Sequence, residues 1–406
     1  MYLKWSGIQM THKISKIKSK IWLAYYWFQF VNLFLALWAE YISMGITASR
    51  GTFEAAIAIF RMMPCSGFGL LSLVKSLKMV THRPVYENLI NELGDMWPVG
   101  EVDAEEHKII NSALKQINIV VKAYHWCNNY LVLSFLYPPF MEMIKRLSGQ
   151  EWERILHFIY WLPFDQLKPG YYEILLITQT WHALTVIWMN MCGDFLFCLF
   201  LSHITTQFDL LSLKIKKFIY VPMDDQLIES YPLGQYSEEY LRRHKEVVNN
   251  YTQREWEEKY QQEITDITLR HRALIRLSGD VENMFSLTLL VNVMNSSIVI
   301  CFCGFCSVVV EKWNDTAYKS FLVTTLSQTW LVCWYGQKLL DSSEGVAEAL
   351  YNSGWYRASK KIRKSILIML HRSQKGVGVT TYGFSTISLA SYSTVIQTCF
   401  LNSYNS

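Results

Sequence analysis

The chain has 406 residues and a formal net charge of +4, with 51% hydrophobic but only 18% charged residues, against about 25% charged in ordinary soluble domains. That balance, together with 15 Trp, 24 Tyr and 21 Phe, excludes a disordered chain, a collagen-like repeat and a basic nucleic-acid-binding tail, and no nucleic-acid partner is expected. The mean hydropathy is only +0.11, so apolar and polar stretches must be segregated along the chain.

A membrane-crossing helix needs about 20 mostly apolar residues. The first candidate covers 21–46, behind Lys4, Lys13, Lys16, Lys18 and Lys20. A signal peptide has a shorter apolar core and a small-residue cleavage site, so this stretch reads as a retained span. The second, 53–77, is interrupted by Arg61, Pro64, Gly67 and Gly69. The third covers 117–143, and the fourth, 173–213, is longer than a bilayer requires. The fifth, 284–310, follows a polar helical approach that begins near Gln262. The sixth covers 318–340 and the seventh 379–401, so seven transmembrane helices are expected.

Counting Lys and Arg in the connections orients the chain. The N-terminal arm and the 2–3, 4–5 and 6–7 connections hold 29 of the 38, and the opposite side holds seven. The N-terminus is therefore expected in the cytoplasm and the C-terminus outside. On that topology Asn314-Asp315-Thr316 is an external glycosylation acceptor at Asn314.

The connections themselves carry helical patterns. Ile264, Ile267, Leu274 and Leu277 share one face before the fifth span. Val346, Leu350, Ile362, Ile366 and Leu370 recur helically before the seventh, and Phe208, Leu211 and Ile215 continue the fourth. These stripes must pack together, dock on a partner subunit or lie on a lipid surface.

No enzyme motif is present: no nucleophile elbow, His-Glu-x-x-His, Walker loop or dinucleotide fingerprint, and no cofactor is expected. The nine cysteines lie in apolar runs, which suits packed thiols better than a disulfide framework. Cys301, Cys303 and Cys306 have no His or carboxylate at ligand spacing, so no metal site is expected. Arg61, Lys122 and Glu40 are charges inside spans, costly unless paired or hydrated. Lys122 is placed to snorkel.

Two constellations point to function. The outer halves of the second, third, fourth and sixth spans carry Phe60, Tyr130, Ser134, Tyr137, Trp181, Leu184, Phe321, Thr324 and Thr325. A cavity built from them would be mostly apolar, with a few hydroxyls to orient a ligand. The seventh span carries Thr386, Ser393, Gln397 and further hydroxyls, either for close helix packing or to line a hydrated pore.

The runs HRALIRLSGDVENMF at 271–285, YGQKLLDSSEGVAEALYNSGWYRA at 335–358, ILIMLHRSQKG at 366–376, TYGFSTISLASYSTVIQ at 381–397 and LPFD at 162–165 closely resemble the insect odorant receptor family. The resemblance implies an odorant-gated, non-selective cation channel in the cell membrane of an olfactory neuron. The subunit would assemble as a hetero-tetramer with the shared odorant co-receptor and bind a small volatile ligand in the pocket named above. Thr386, Ser393, Gln397 and Phe400 would line the pore. The implied division is an arm (1–20), helices one to four with the pocket (21–213), a cytoplasmic loop and helical extension (214–283), helices five and six (284–340), a cytoplasmic anchor helix (341–378) and the pore helix with a short external C-terminus (379–406). The 4–5 connection lacks the large insertion of the co-receptor, so this resembles a ligand-tuning subunit. Family members commonly close the seventh span with Ser-Tyr-x-Tyr-Phe-x-Leu-Leu. Here TCFLNSYNS from Thr398 implies an incomplete outer gate, offset by those of the co-receptor.

A gustatory-type receptor channel shares the topology, but its Thr-Tyr and Gln-Phe pairing is missing: Thr381-Tyr382 is followed at that spacing by Ser388-Leu389. A seven-helix transporter would show internal repeats, and none is visible.

Overall fold

The computed structural model describes residues 8, 16–98, 100, 102–218, 253–309 and 316–404. These residues form helices α1 (Lys16–Ala48), α2 (Phe53–Thr81), α3 (Arg83–Asp95), α4 (Ala104–Leu147), α5 (Tyr171–Phe218), α6 (Gln253–Val309), α7 (Thr316–Tyr351), α8 (Lys360–Ser373) and α9 (Leu389–Tyr404), with a 3₁₀ turn at Trp355–Arg357. Among the described residues the β-structure is an isolated bridge between Thr380 and Thr386. The expected all-α class is the class observed.

Local chemistry sets several of the helix starts. The Thr52 hydroxyl accepts from Ala55 N at 3.2 Å and caps α2. Asp103 and Glu106 form a capping box at the start of α4. Pro84 stands in the first turn of α3, where its missing N–H costs no helical bond.

The helices α5 and α6 have 48 and 57 residues. At 1.5 Å per residue they are about 72 and 86 Å long, more than twice the ~30 Å hydrocarbon core. Their far halves therefore project beyond a bilayer, and they take their apolar stripes with them. Ile264, Ile267, Leu274 and Leu277 of α6 are buried there, with Phe208, Leu211 and Ile215 of α5, Val346 and Leu350 of α7, and Ile362 and Ile366 of α8. Leu370 packs against the same core, which continues without a break into the rest of the bundle. The stripes seal one another within a single chain.

Among the described residues, α1, α2, α5 and α6 are long and apolar enough to cross a membrane by length and composition. The remaining expected spans carry polar groups that face inward. Asn128 of α4 is buried, as are Ser320, Thr324, Thr325, Gln328 and Thr329 of α7. The outward face of α1 is different, with Ile21, Phe28, Leu35 and Trp38 all exposed, as lipid contact requires.

Two boundaries differ from expectation. The helix of the seventh span starts at Leu389, ten residues later than the apolar run suggested. Residues 379–388 instead form a tight hairpin in which Ile387 N donates to Val379 O (2.8 Å) and Thr381 N to Ser385 O (2.8 Å). Tyr382 and Gly383 turn it with φ of 55° and 81°, a left-handed conformation that stops a helix. The anchor helix expected over 341–378 is two helices: α7 runs unbroken to Tyr351, and α8 begins at Lys360 after the 3₁₀ turn.

Candidate functional site

A cavity lies among α1, α2, α4, α5 and α7, and a water-sized sphere can move through about 50 Å³ of it. Leu33, Leu37, Phe68, Val132, Ile187 and Phe321 supply much of its apolar wall. A chain of rings surrounds the space. Phe321 meets Phe68 and Phe135 edge-on, each at 5.5 Å, Phe135 stacks on Phe158 at 5.6 Å, and Phe158 stacks on Tyr160 at 5.9 Å.

The segment between α4 and α5 roofs this cavity. Gln179 of α5 holds Phe158 by both backbone groups: Phe158 N donates to Oε1 at 3.0 Å, and Nε2 donates to Phe158 O at 2.9 Å. Trp161 N donates to Ala39 O of α1 at 3.0 Å, tying the roof to the opposite side of the bundle. Thr180 Oγ1 donates to Leu176 O (2.8 Å), so His157 Nε2, 3.3 Å away, is the donor to that oxygen. Burial holds the His157 imidazole down to about 4, which leaves it neutral near pH 7. The LPFD run belongs to the roof: Phe164 packs on Tyr171 at 4.8 Å, and Asp165 Oδ1 accepts from Leu167 N at 3.0 Å.

Two polar side chains also line the cavity, Glu40 and His182, which are 3% and 7% exposed. His182 Nδ1 shares a 3.1 Å hydrogen bond with the Tyr160 hydroxyl. Glu40 Oε1 and His182 Nε2 have no hydrogen-bond partner among the described residues.

The expected pocket residues are distributed around this site. Phe321 lines it. Trp181 and Leu184 flank the lining residues His182 and Ala183 on α5; Leu184 packs on the core, and Trp181 turns outward to meet Trp188 edge-on at 6.3 Å. Ser134 bonds Ser320 across α4 and α7 (2.7 Å), and Thr324 and Thr325 are buried in α7. Phe60 packs on Phe302 of α6 at 4.9 Å. Tyr130 and Tyr137 lie on the exposed face of α4. Sequence reasoning missed the contribution of α1 and of the roof: their residues sit in other parts of the chain, and only the packing brings them to the cavity.

Beyond Ile187, successive turns of α5 carry Asn190 and Asp194 on the same face. Lys75 Nζ of α2 donates to Asp194 Oδ1 (2.5 Å) and Asn190 Oδ1 (2.6 Å). Tyr124 of α4 donates to Asp194 Oδ2 at 3.0 Å, and Gln328 of α7 donates to it at 2.7 Å. Four helices thus meet at one carboxylate whose surroundings are almost fully buried. Lys75 is thus paired inside the bundle. The side chain of Arg61 lies outside the described residues, whereas Lys122 is exposed.

At the edge of the bundle, α9 packs on α6 and α7. Ser393, Thr394, Gln397 and Thr398 are exposed along it, and Thr386 is exposed in the hairpin before it. The side chain of Phe400 and all of Asn314 lie outside the described residues.

The family model described as 7tm Odorant receptor matches residues 57–400 of this chain. The chain belongs to the odorant receptor family. Among curated odorant receptors of Drosophila melanogaster, 67c is 23% identical over 386 residues, spanning 94% of this chain and 87% of that one. Receptor 85b is 25% identical over 394 residues, spanning 94% and 90%. The fold is that of the insect olfactory receptor OR5 from Machilis hrabei. Its structure in complex with eugenol aligns over 100% of this chain and 96% of its own, with a TM-score of 0.76 and 16% identity. A second structure of the same receptor gives a TM-score of 0.79 at 15% identity. This odorant receptor is accordingly a multi-pass membrane protein, and its family is one of receptors rather than enzymes.

Proposed function

We propose that the chain is a ligand-tuning subunit of a heteromeric, non-selective cation channel, assembled as a tetramer with the odorant co-receptor. It sits in the cell membrane of the olfactory neuron, N-terminus inside, and is opened by a small volatile molecule in the aromatic cavity. The observation that carries this reading is the contrast between two outward faces. That of α1 is aliphatic and aromatic, fit for lipid, whereas that of α9 is hydroxyls and an amide. A polar helix face at membrane depth belongs against water or protein, and neutral hydroxyls let cations pass without holding them. The face formed by Thr386, Ser393 and Gln397 is the one this subunit would turn toward a shared pore. The cavity supports the ligand role by being mainly apolar and ringed by aromatic side chains, and the similarly folded Machilis hrabei receptor carries eugenol.

The test is current recording from cells that express this chain with the co-receptor, challenged with a volatile panel. Phe321→Ala enlarges the cavity and is expected to shift the response spectrum while co-receptor agonist currents stay intact. Equal loss of both responses would remove the cavity from the ligand path.

A further inference from the structure

We infer that the preferred ligand is a small volatile amine whose ammonium pairs with Glu40 inside the aromatic cavity. This rests on the cavity being the ligand site. Glu40 lies in α1, is 3% exposed, and leaves Oε1 without a hydrogen-bond partner among the described residues. Lys75, a buried cation of the same bundle, is already engaged by Asp194 at 2.5 Å. A carboxyl left without a partner in apolar surroundings keeps its proton, and an amine that enters neutral can take that proton, leaving an ammonium paired with the carboxylate. Such a ligand gains twice here. The same cavity presents the rings of Phe68, Phe135, Phe158 and Phe321, and aromatic faces attract ammonium groups most strongly when both are desolvated.

Neighbouring groups fit the assignment. His182 Nε2 is also unpartnered and faces the same space, so it can take one ammonium proton as an acceptor when Nδ1 donates to the Tyr160 oxygen. Burial pushes the Tyr160 phenol well above its ordinary value, and the Glu40 charge adds to that rise, consistent with carboxyl and phenol facing one cavity. A short hydrocarbon part suits the cavity, through which a water-sized sphere moves over about 50 Å³.

The experiment records currents from cells co-expressing this chain and the co-receptor, using an alkylamine, the alcohol and ketone of the same skeleton, and the hydrocarbon. Wild type is expected to answer the amine at a concentration about 10- to 100-fold lower than the alcohol, the range of a charge-assisted hydrogen bond. Glu40→Gln should abolish that preference while keeping the alcohol response and surface expression, and Glu40→Asp should retain part of it. An amine response unchanged in Glu40→Gln overturns the inference, as does a wild type that prefers the ketone. Loss of surface expression in Glu40→Gln, reversed by adding Arg61→Met, also overturns it, because Glu40 would then serve an internal ion pair. Phe321→Ala separates the two levels. If it shifts all responses while Glu40→Gln shifts none, the ligand class is wrong and the cavity stands. If neither moves any response, the cavity itself is wrong.

Discussion

Lys75 and Asp194 illustrate how far single residues can be read without their neighbours. A lysine six residues before a helix end suggests a cation reaching toward the interface, yet here its side chain is 5% exposed and 2.5 Å from Asp194, which is 4% exposed. Breaking such a pair leaves one buried charge uncompensated, a loss of about 3–5 kcal/mol. Lys75→Met is therefore expected to lower the melting temperature in detergent sharply. The double variant Lys75→Met with Asp194→Leu should recover much of the loss, because neither charge remains to be desolvated. Failure of the double variant to recover would show that the bonds from Tyr124 and Gln328 to Asp194 matter more than the ion pair. Glu40 was conspicuous as a charge in an apolar run, but its place beside Phe158 and Tyr160 depends on a roof that arrives from more than a hundred residues away.

At the scale of elements, the amphipathic stripes were legible because burial with a 3.6-residue period leaves a mark in any sequence. The late start of α9 was not. Its first ten apolar and hydroxyl residues have the composition of a spanning helix, and the hairpin forms because tertiary partners support it. Thr380 N donates to Glu282 Oε1 of α6 at 3.1 Å, and the backbone of Ile387 lies directly on Gly336 of α7. A methyl group at 336 would fall 2.4 Å from Ile387 O, a backbone atom that cannot rotate away. Gly336→Ala is expected to cost about 1–3 kcal/mol, read as reduced thermal stability of the purified protein. Gly279→Ala on α6 is the control: no atom lies within 4 Å of its new methyl, and removing a helical glycine should stabilise by roughly 0.5–1 kcal/mol.

For the whole molecule, the sequence determined the class and the expected orientation, because lipid demands long apolar helices and cations are retained on one side of a membrane. If the N-terminus lies inside, as the Lys and Arg distribution predicts, Asn314 would face the exterior and is expected to carry a glycan. Treatment with an N-glycosidase should then increase gel mobility, and Asn314→Gln should abolish the shift. A wild type unaffected by the enzyme, together with a glycan at an acceptor engineered into the 2–3 connection, would reverse the orientation. Composition could not reveal where the ligand cavity lies. Its walls come from five helices and a roof segment, and nothing in the spacing of Glu40, Phe158, His182 and Phe321 along the chain sets them together. Periodic burial and charge asymmetry are local statistics that a sequence records directly, whereas a cavity is a relation among distant side chains that exists only once the helices have packed.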